Sequence, residues 1–302
     1  MAQNVSLGYI GFGEAAFHMA KGLCGEGLKG ILAYDVALDS DGPYKKTVLD
    51  RIAAAGSVTA AASAKELVEK CDFVVICVPA RFTPSTADGL LPFARKGQHF
   101  IDVTTALPDI KQAEAEKFAA AGAYYVDSAM LGGLVGYGHK VPILASGEGA
   151  DAWHDSMTPW GMNITLVGKG SKPGDASRIK LVRSVFTKGL EALLTEALAF
   201  AHKCGLEDRF MQSVCATMEK QPFEKLVVAL AGSDFVHSER RGFEVGEAME
   251  LMEQVGVKPL VSAGAKARME HTTGFGCAKE LNGVSPKSLE EIFALMDRKN
   301  YD

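Results

Sequence analysis

Short runs of apolar residues alternate with stretches of helical periodicity through the first half of the chain. The apolar runs predict strands at residues 5–10, 31–35, 57–60, 73–78, 99–104, 124–128, 141–146 and 163–167. The intervening helices are predicted at 17–28, 64–70, 83–94 with a break near Pro92, 108–121 and 150–159. Strands apolar on both faces that alternate with helices form a parallel sheet covered on both sides. This half is therefore predicted to be a doubly wound α/β domain.

The second half shows helical periodicity only. Its longest predicted helix runs from about 175 to 204, with Asp175 or Ser177 as its cap and Gly205 at its end. Further helices are predicted at 207–218, 224–231, 236–255, 262–272 and 285–298. We expect an α/β domain over 1–168 and an all-α domain over 169–302, joined by the long helix, as suits a chain of 302 residues.

The long helix is apolar around most of its circumference, which predicts that it is buried. Lys180, Arg183, Ser184 and Thr187 nevertheless share one face of its first turns. A buried lysine is either paired or has its pKa lowered by desolvation, and a lowered pKa suits a proton donor and acceptor near neutral pH. The alternative is an exposed first turn whose cations reach into solvent.

A glycine turn separates the first strand from the first helix. It has the pattern G-x-G-x-x-A and consists of Gly11, Phe12, Gly13, Glu14, Ala15 and Ala16. The glycines permit a tight turn and a close approach of backbone N–H groups to a pyrophosphate, and Asp35 ends the second strand where a carboxylate accepts bonds from a ribose. The carboxylate favours NAD over NADP because it repels a 2′-phosphate, although Lys45 and Lys46 lie nearby in sequence.

Three further segments follow predicted strands at the edge where ligands bind in such sheets. They are Val78-Pro79-Ala80, Thr104-Thr105 and the glycine-rich stretch 127–138, which includes Met130, Leu131, Gly132 and Gly133. The glycine-rich stretch either presents backbone N–H groups to an anion or is a flexible hairpin into the next strand. In the helical half, His237, Arg240, Arg241 and Glu244 are spaced three and four residues apart. Either the cations help to hold an anionic substrate or a cofactor phosphate, or Arg240 and Glu244 simply form an exposed ion pair.

Composition excludes several classes of function. The formal net charge is −5, which argues against nucleic acid or an anionic membrane as the main partner. The six cysteines are scattered, as expected for reduced thiols in a cytoplasmic protein without a metal site. No basic segment precedes the first strand and no apolar run reaches the length of about 18 residues that a membrane span needs.

Together these residues resemble the β-hydroxyacid dehydrogenase superfamily, which includes 3-hydroxyisobutyrate, tartronate semialdehyde and 6-phosphogluconate dehydrogenases. The turn 11–16 looks like the cofactor turn of the family, and 102–105 looks like its Asp-x-Ser-Thr cofactor segment. Residues 127–133 are similar to its Asp-Ala-Pro-Val-Ser-Gly-Gly substrate loop, and 174–184 to the helix start that holds the catalytic lysine. The His237 to Arg241 pattern resembles the 6-phosphogluconate-dehydrogenase-like branch with a His-x-x-Arg-Arg sequence.

The resemblance implies an N-terminal Rossmann domain, an all-helical C-terminal domain and a homodimer. It also implies NAD(P)-dependent hydride transfer to or from a small hydroxy acid or carbonyl of the 3-hydroxyacid type, with Lys180 as general acid and base. The implied cofactor-binding residues are Gly11, Phe12, Gly13, Glu14, Ala15, Ala16, Asp35, Val78, Pro79, Ala80 and Thr105. The implied substrate-binding residues are Met130, Leu131, Gly132, Gly133, Arg183, Ser184, His237 and Arg241.

The chain departs from the family pattern around the substrate. Leu131 replaces a serine, Ser128-Ala-Met replaces Ala-Pro-Val, and Arg183-Ser184 replaces Asn-Asn. Because leucine cannot donate a hydrogen bond, carboxylate recognition would fall to the backbone of Gly132 and Gly133 and to Arg183. Two alternatives stay open: an imine reductase, against which the retained Lys180 speaks, and a cofactor-binding sensor without turnover.

Overall fold

The structure is a computed structural model that describes residues 5–301. The chain divides into two compact units, of which the first ends at Ser184 and the second begins at Val185. The first ten residues of the long helix therefore pack with the N-terminal unit. The proposed domain boundary near residue 168 stays a prediction.

The first unit is built on one eight-stranded sheet. Its strands are β1 (Leu7–Ile10), β2 (Ile31–Tyr34), β3 (Val58–Ala60), β4 (Phe73–Ile76), β5 (His99–Asp102), β6 (Tyr124–Met130), β7 (Ile143–Ser146) and β8 (Ile164–Leu166). The order across the sheet is β3-β2-β1-β4-β5-β6-β7-β8. All neighbours pair in parallel except β6 and β7, which are antiparallel. The order reverses between β1 and β4, which is where doubly wound sheets open a crevice.

Helices surround this sheet and make up the second unit. In the first unit they are α1 (Glu14–Gly25), α2 (Pro43–Ala55), α3 (Ala64–Lys70), α4 (Thr83–Leu90), α5 (Pro108–Ala120), α6 (Leu134–Tyr137) and α7 (Ala150–Met157). Helix α8 (Asp175–Cys204) belongs to both units. The second unit continues with α9 (Glu207–Met218), α10 (Phe223–Gln254), α11 (Leu260–Gly274), α12 (Cys277–Glu280) and α13 (Leu289–Lys299).

Both faces of the sheet are buried, as the apolar runs predict. Tyr9 and Ile10 are neighbours in β1 but belong to different apolar clusters. Phe100 and Ile101, which are neighbours in β5, also belong to different clusters. Successive side chains of a strand point to opposite faces. A strand packed on both sides must therefore be apolar at every position, and this confirms the predicted doubly wound α/β fold.

The helices differ from the predictions in several places. Helices α2, α6 and α12 were not predicted, and the buried face of α2 consists only of Val48, Ile52 and Ala55. The predicted pair 224–231 and 236–255 is wrong, because α10 is one continuous helix. Its Gly232 is not a helix end: a Cβ there would lie 2.4 Å from the carbonyl oxygen of Pro286. The glycine instead permits a close approach of another segment.

The predicted burial of α8 is also wrong for a single chain. Val182 and Val185 are 73% and 79% exposed. Further large apolar side chains exposed on this helix are Ile179, Leu181, Phe186, Leu193, Leu194 and Leu198. None of the helices between residues 5 and 301 is both long and apolar enough to cross a membrane.

Candidate functional site

The segments that the sequence singles out follow four neighbouring strands. Strands β1, β4, β5 and β6 are mutually parallel, so their carboxyl ends lie at one edge of the sheet. The glycine turn follows β1, Val78-Pro79-Ala80 comes after β4, Thr105 after β5 and Leu131 after β6. The structure therefore brings these four segments to one edge.

The glycine turn has the geometry that a dinucleotide pyrophosphate requires. Gly11 has a φ of +85°, and a Cβ there would lie 2.5 Å from the carbonyl oxygen of Cys77. A Cβ at Gly13 would meet no atom within 4 Å. Gly13 is the N-cap of α1, and no side chain caps this helix. An uncapped helix N-terminus of this kind presents backbone N–H groups that suit an anion such as a pyrophosphate.

Asp35 closes the glycine turn from the end of β2. Its carboxylate accepts bonds from the backbone N–H of Phe12 at 2.8 Å and of Ala37 at 3.0 Å. Each carboxylate oxygen keeps a second lone pair for a ribose hydroxyl. The residues present therefore fit a nicotinamide dinucleotide. Lys45 and Lys46 form ion pairs with Asp41 and Asp50.

The loop after β5 is fixed by its own side chains. The carboxylate of Asp102 accepts a bond from the N–H of Thr104 at 2.8 Å, and the Thr104 hydroxyl accepts one from Thr83 at 3.0 Å. Both Asp102 and Thr104 are buried, whereas Thr105 is exposed. The loop thus presents Thr105 on a rigid support.

The substrate loop begins where β6 ends. The N–H of Leu131 donates to the carbonyl of Pro142 at 2.7 Å, and the guanidinium of Arg183 donates to the carbonyl of Leu131 at 3.0 Å. Gly132 and Gly133 are exposed. The structure therefore joins two predicted site residues, Leu131 and Arg183, directly.

The start of α8 is capped from outside the helix. Both predicted caps are corrected by the structure, since the cap is Asp127 of β6. One oxygen of this carboxylate accepts the N–H of Gly174 at 3.1 Å and that of Ser177 at 2.8 Å, and the other accepts the Ser177 hydroxyl at 2.8 Å. Asp175 instead accepts the N–H of Lys172. A cap that comes from a distant strand cannot be predicted from the spacing of residues within the helix.

Lys180 lies on α8 three residues before Arg183 and is half-buried. Residues three apart lie on the same face of a helix, about 4.5 Å apart along its axis. Lys180 therefore lies on the same helix face as the residue that contacts the substrate loop. Ser184, one residue further, is also half-buried.

Lys111 was missed by sequence reasoning. It lies on α5 and is fully buried. Its ammonium lies 2.8 Å from the Asp127 carboxylate and 3.5 Å from that of Asp102. The signal was its spacing, because Lys111 falls on the same helix face as buried Glu114 and Phe118. Burial and the neighbouring Asp102 raise the pKa of Tyr125, whose hydroxyl donates to Asp102 at 2.9 Å.

His237 and Arg241 lie on α10 in the second unit. His237 is exposed, and Arg241 donates to the Ser233 hydroxyl at 2.9 Å. Arg240 pairs with Glu244, as the spacing suggested. Their role in binding stays a prediction. Within residues 5–301, no three His, Cys, Asp or Glu side chains converge so that they could hold a metal ion.

Two family models match parts of the chain, one in each half. A family model described as the NAD binding domain of 6-phosphogluconate dehydrogenase matches residues 6–168, more than half of the chain. A second model, described as a domain of unknown function (DUF1932), matches residues 201–272. An uncharacterized 28.5 kDa protein of Methanothermus fervidus, from the 7S RNA 5′ region, is 28% identical and covers 88% of this chain and 98% of its own.

Mitochondrial 3-hydroxyisobutyrate dehydrogenase of Drosophila melanogaster is 31% identical over 43% of this chain and 38% of that enzyme. Among solved structures, conserved protein MTH1747 is described as structurally similar to 3-hydroxyacid dehydrogenases. It is 26% identical, with a TM-score of 0.59 over 89% of this chain and 96% of its own.

Imine reductase from Myxococcus stipitatus, solved with NADP+ and, as a variant, with NAD+, is 16% identical. Its TM-scores are 0.71 and 0.73, over 96% and 97% of this chain and 99% and 100% of those chains. At this identity the likeness shows the fold alone. With the family model and the four motifs, the chain therefore belongs to the family of the 6-phosphogluconate dehydrogenase NAD binding domain, within the β-hydroxyacid dehydrogenase superfamily, and is an NAD(P)-binding oxidoreductase of that family.

Proposed function

We propose that this protein is an NAD(P)-dependent dehydrogenase or reductase that acts on the CH–OH or C=O of a small 3-hydroxyacid-type substrate. The observation that carries the proposal is the bond from Arg183 to the carbonyl of Leu131. This bond ties the helix face that bears Lys180 to the loop after β6. That loop lies at the same sheet edge as the glycine turn, so the helix that bears Lys180 contacts the edge that holds the glycine turn.

When bound, a nicotinamide cofactor supplies or accepts the hydride. Lys180 acts as general base on the substrate hydroxyl during oxidation and as general acid on the carbonyl oxygen during reduction. Ser184 orients the same substrate oxygen from the next turn of α8. The helix fixes the backbone position from which the Lys180 side chain reaches the substrate, and positioning of this kind contributes to an enzyme's rate enhancement.

Arg183 and the backbone of Gly132 and Gly133 recognise the carboxylate of the substrate. Leu131 contributes no side-chain donor, whereas a guanidinium presents several donors in a fork that matches a carboxylate. Its bond to the Leu131 carbonyl places the guanidinium beside the loop. An anionic substrate with an apolar body beside Met130 and Leu131 suits this arrangement.

NAD is the proposed preferred cofactor. The Asp35 carboxylate lies at the end of β2 and is fixed by two backbone N–H groups, so it cannot turn away from a ribose 2′-phosphate. The nearby Lys45 and Lys46 are engaged by Asp41 and Asp50. A fixed negative charge without a compensating cation disfavours NADPH.

The homodimer is also part of the proposal. The exposed apolar side chains of α8, with Val185 at 79%, form an area that monomeric proteins rarely leave in water. Leu260 and Phe293 in the same unit are 66% and 55% exposed. A second copy of the chain that covers these side chains would remove them from solvent.

The test measures nicotinamide absorbance after the protein is mixed with 2- and 3-hydroxy acids and NAD or NADP. The reverse reaction is measured with the matching oxo acids and NADH or NADPH. We expect one acid to drive turnover with NAD more efficiently than with NADP. Lys180→Ala should lower kcat by about 10² to 10⁴ while NADH still binds. The matched control is Lys188→Ala, which removes an exposed lysine of the same helix and should leave kcat unchanged.

Cyclic imines and ketones without a carboxylate complete the panel. Turnover of imines alone would replace the proposal with imine reduction. Tight NADH binding with no turnover of any compound, and no effect of Lys180→Ala on that binding, would favour a sensor without catalysis.

A further inference from the structure

Lys111 joins two segments of the candidate site. Its ammonium lies 3.2 Å from the carbonyl oxygen of Asp102, 3.0 Å from that of Thr104 and 2.8 Å from the carboxylate of Asp127. An ammonium has three N–H donors, and these three acceptors use all of them. Lys111 therefore bridges the loop after β5 and the strand that leads into the substrate loop.

Asp127 extends this bridge to the third segment. The same carboxylate accepts the N–H groups of Gly174 and Ser177 and the Ser177 hydroxyl. Gly174 directly precedes α8 and Ser177 lies in its first turn, where the helix dipole places partial positive charge. The N–H of Ala176, between them, donates to the Ser146 hydroxyl at 3.0 Å. Asp127 is thus bonded to Lys111 on one side and to the start of the Lys180 helix on the other. All three side chains, Lys111, Asp127 and Ser177, are buried.

Fold stability alone does not account for this arrangement. Buried ion pairs contribute little net stability, since the desolvation of both charges offsets their attraction, and apolar replacements of similar volume are often neutral. A buried pair can instead fix geometry, because its hydrogen bonds permit only one arrangement. Here the fixed parts are the Thr104-Thr105 loop and the first turn of α8.

We infer that Lys111 and Asp127 form a positioning bridge that sets the place of Lys180 relative to the loop at Thr105. The inference rests on the proposed function for its effect on turnover, but its effect on α8 is independent of that function. Neither residue touches substrate. Loss of the bridge should leave the glycine turn and Asp35 unchanged, because neither contacts Lys111.

The first test is amide hydrogen exchange of the segment 174–184, followed by mass spectrometry. Lys111→Met keeps most of the length of the side chain but removes the charge. We expect exchange of this segment to become at least about tenfold faster, since the first turn of α8 loses the partner that fixes its cap. Lys117→Met is the matched control. Lys117 lies on the same helix and pairs with Asp88 and Glu114, away from α8, so its loss should leave 174–184 unchanged.

The second test separates positioning from simple stability. Lys111→Met with Asp127→Asn removes both partners, so the melting temperature should recover toward that of the wild type, whereas kcat for the best acid of the panel should stay about 10- to 100-fold low. The KM for that acid and the NADH Kd should change less than kcat does, because Arg183, the glycine turn and Asp35 do not contact Lys111. Recovery of kcat together with the melting temperature would mean that the bridge serves stability only, and would overturn the inference.

Ser177→Ala covers the case in which Lys111→Met does not fold. It removes one hydroxyl bond to Asp127 and should give the same faster exchange in weaker form. Unchanged exchange of 174–184 in Ser177→Ala and in every Lys111 variant that folds would overturn the bridge. Faster exchange together with full activity of Lys180→Ala would instead leave the bridge intact and refute the proposed role of Lys180.

Discussion

Two glycines of the cofactor turn serve different purposes, although their spacing in the sequence makes them look equivalent. Gly11 has a φ of +85° and lies against the backbone of Cys77, whereas Gly13 has a φ of −73° and adjoins open space. The first is required by the protein itself. The second leaves room for a ligand.

A matched pair of substitutions tests this difference. Gly11→Ala should lower the free energy of unfolding by about 1–3 kcal/mol, because the new Cβ meets the Cys77 carbonyl in a strained backbone. Gly13→Ala should leave the melting temperature unchanged but weaken NADH binding, because the methyl group occupies the approach to the α1 N-terminus. Thermal unfolding and NADH fluorescence titration measure the two effects. Equal loss of stability in both variants would contradict the assignment.

Local sequence signals predicted some of these residues and not others. Gly11, Gly13 and Asp35 were predictable because they lie within one strand, turn and strand, and the structure places them together. Lys111 was not, because its partners Asp102 and Asp127 come from two other elements. A lysine on a buried helix face is a weak signal until those carboxylates are brought together by the fold.

Among helices and strands, apolar continuity predicted all eight strands of the sheet, but the predicted parallel arrangement is wrong for β7, which is antiparallel to β6. Strands that are buried on both faces give an unbroken signal. Helix α2 was missed because three small or medium apolar residues cover its buried face, and α10 was divided because a glycine resembles a helix end. Gly232 instead permits the backbone of Pro286 to pack closely against α10.

The segment that follows the substrate loop docks on helix α1 through His139. The ring is buried, and a Cβ at Gly22 would lie 2.0 Å from its Nδ1. Burial lowers the pKa of His139 from its usual 6.5, and the nearby Lys140 also lowers it, while Glu26 opposes the shift. The ring therefore binds a proton less readily in the folded protein than in the unfolded chain.

This shift predicts a pH dependence of stability. A group whose pKa is lowered on folding contributes stability above its unfolded pKa, and that stability is lost as the pH falls through about 6.5 toward the folded value. The melting temperature of the wild type should fall over this range, and His139→Gln should fall less steeply. Thermal unfolding between about pH 8 and about pH 5 measures both slopes. Parallel curves for the two proteins would contradict the assignment.

At the scale of the whole molecule, we expect a dimer because α8 exposes large apolar side chains. Val185→Lys should shift the molar mass toward the 32.1 kDa of one chain, because a charge in a buried interface is strongly disfavoured. Val36→Lys is the control, since Val36 is 75% exposed but lies in the first unit. Light scattering after size exclusion measures the mass. A wild type that stays at the mass of one chain at all micromolar concentrations would contradict the dimer.

The most direct test of the central claim is chemical rescue of Lys180→Ala. Rates of nicotinamide reduction are measured in this variant as ethylamine is added, with the acid that the wild type oxidises. If Lys180 moves the proton, the variant starts about 10² to 10⁴ below the wild type, and its rate rises with amine concentration while the wild type is unaffected. A variant that keeps most of the wild-type kcat, with normal NADH binding and no response to the amine, would show that Lys180 is not the acid and base of this site.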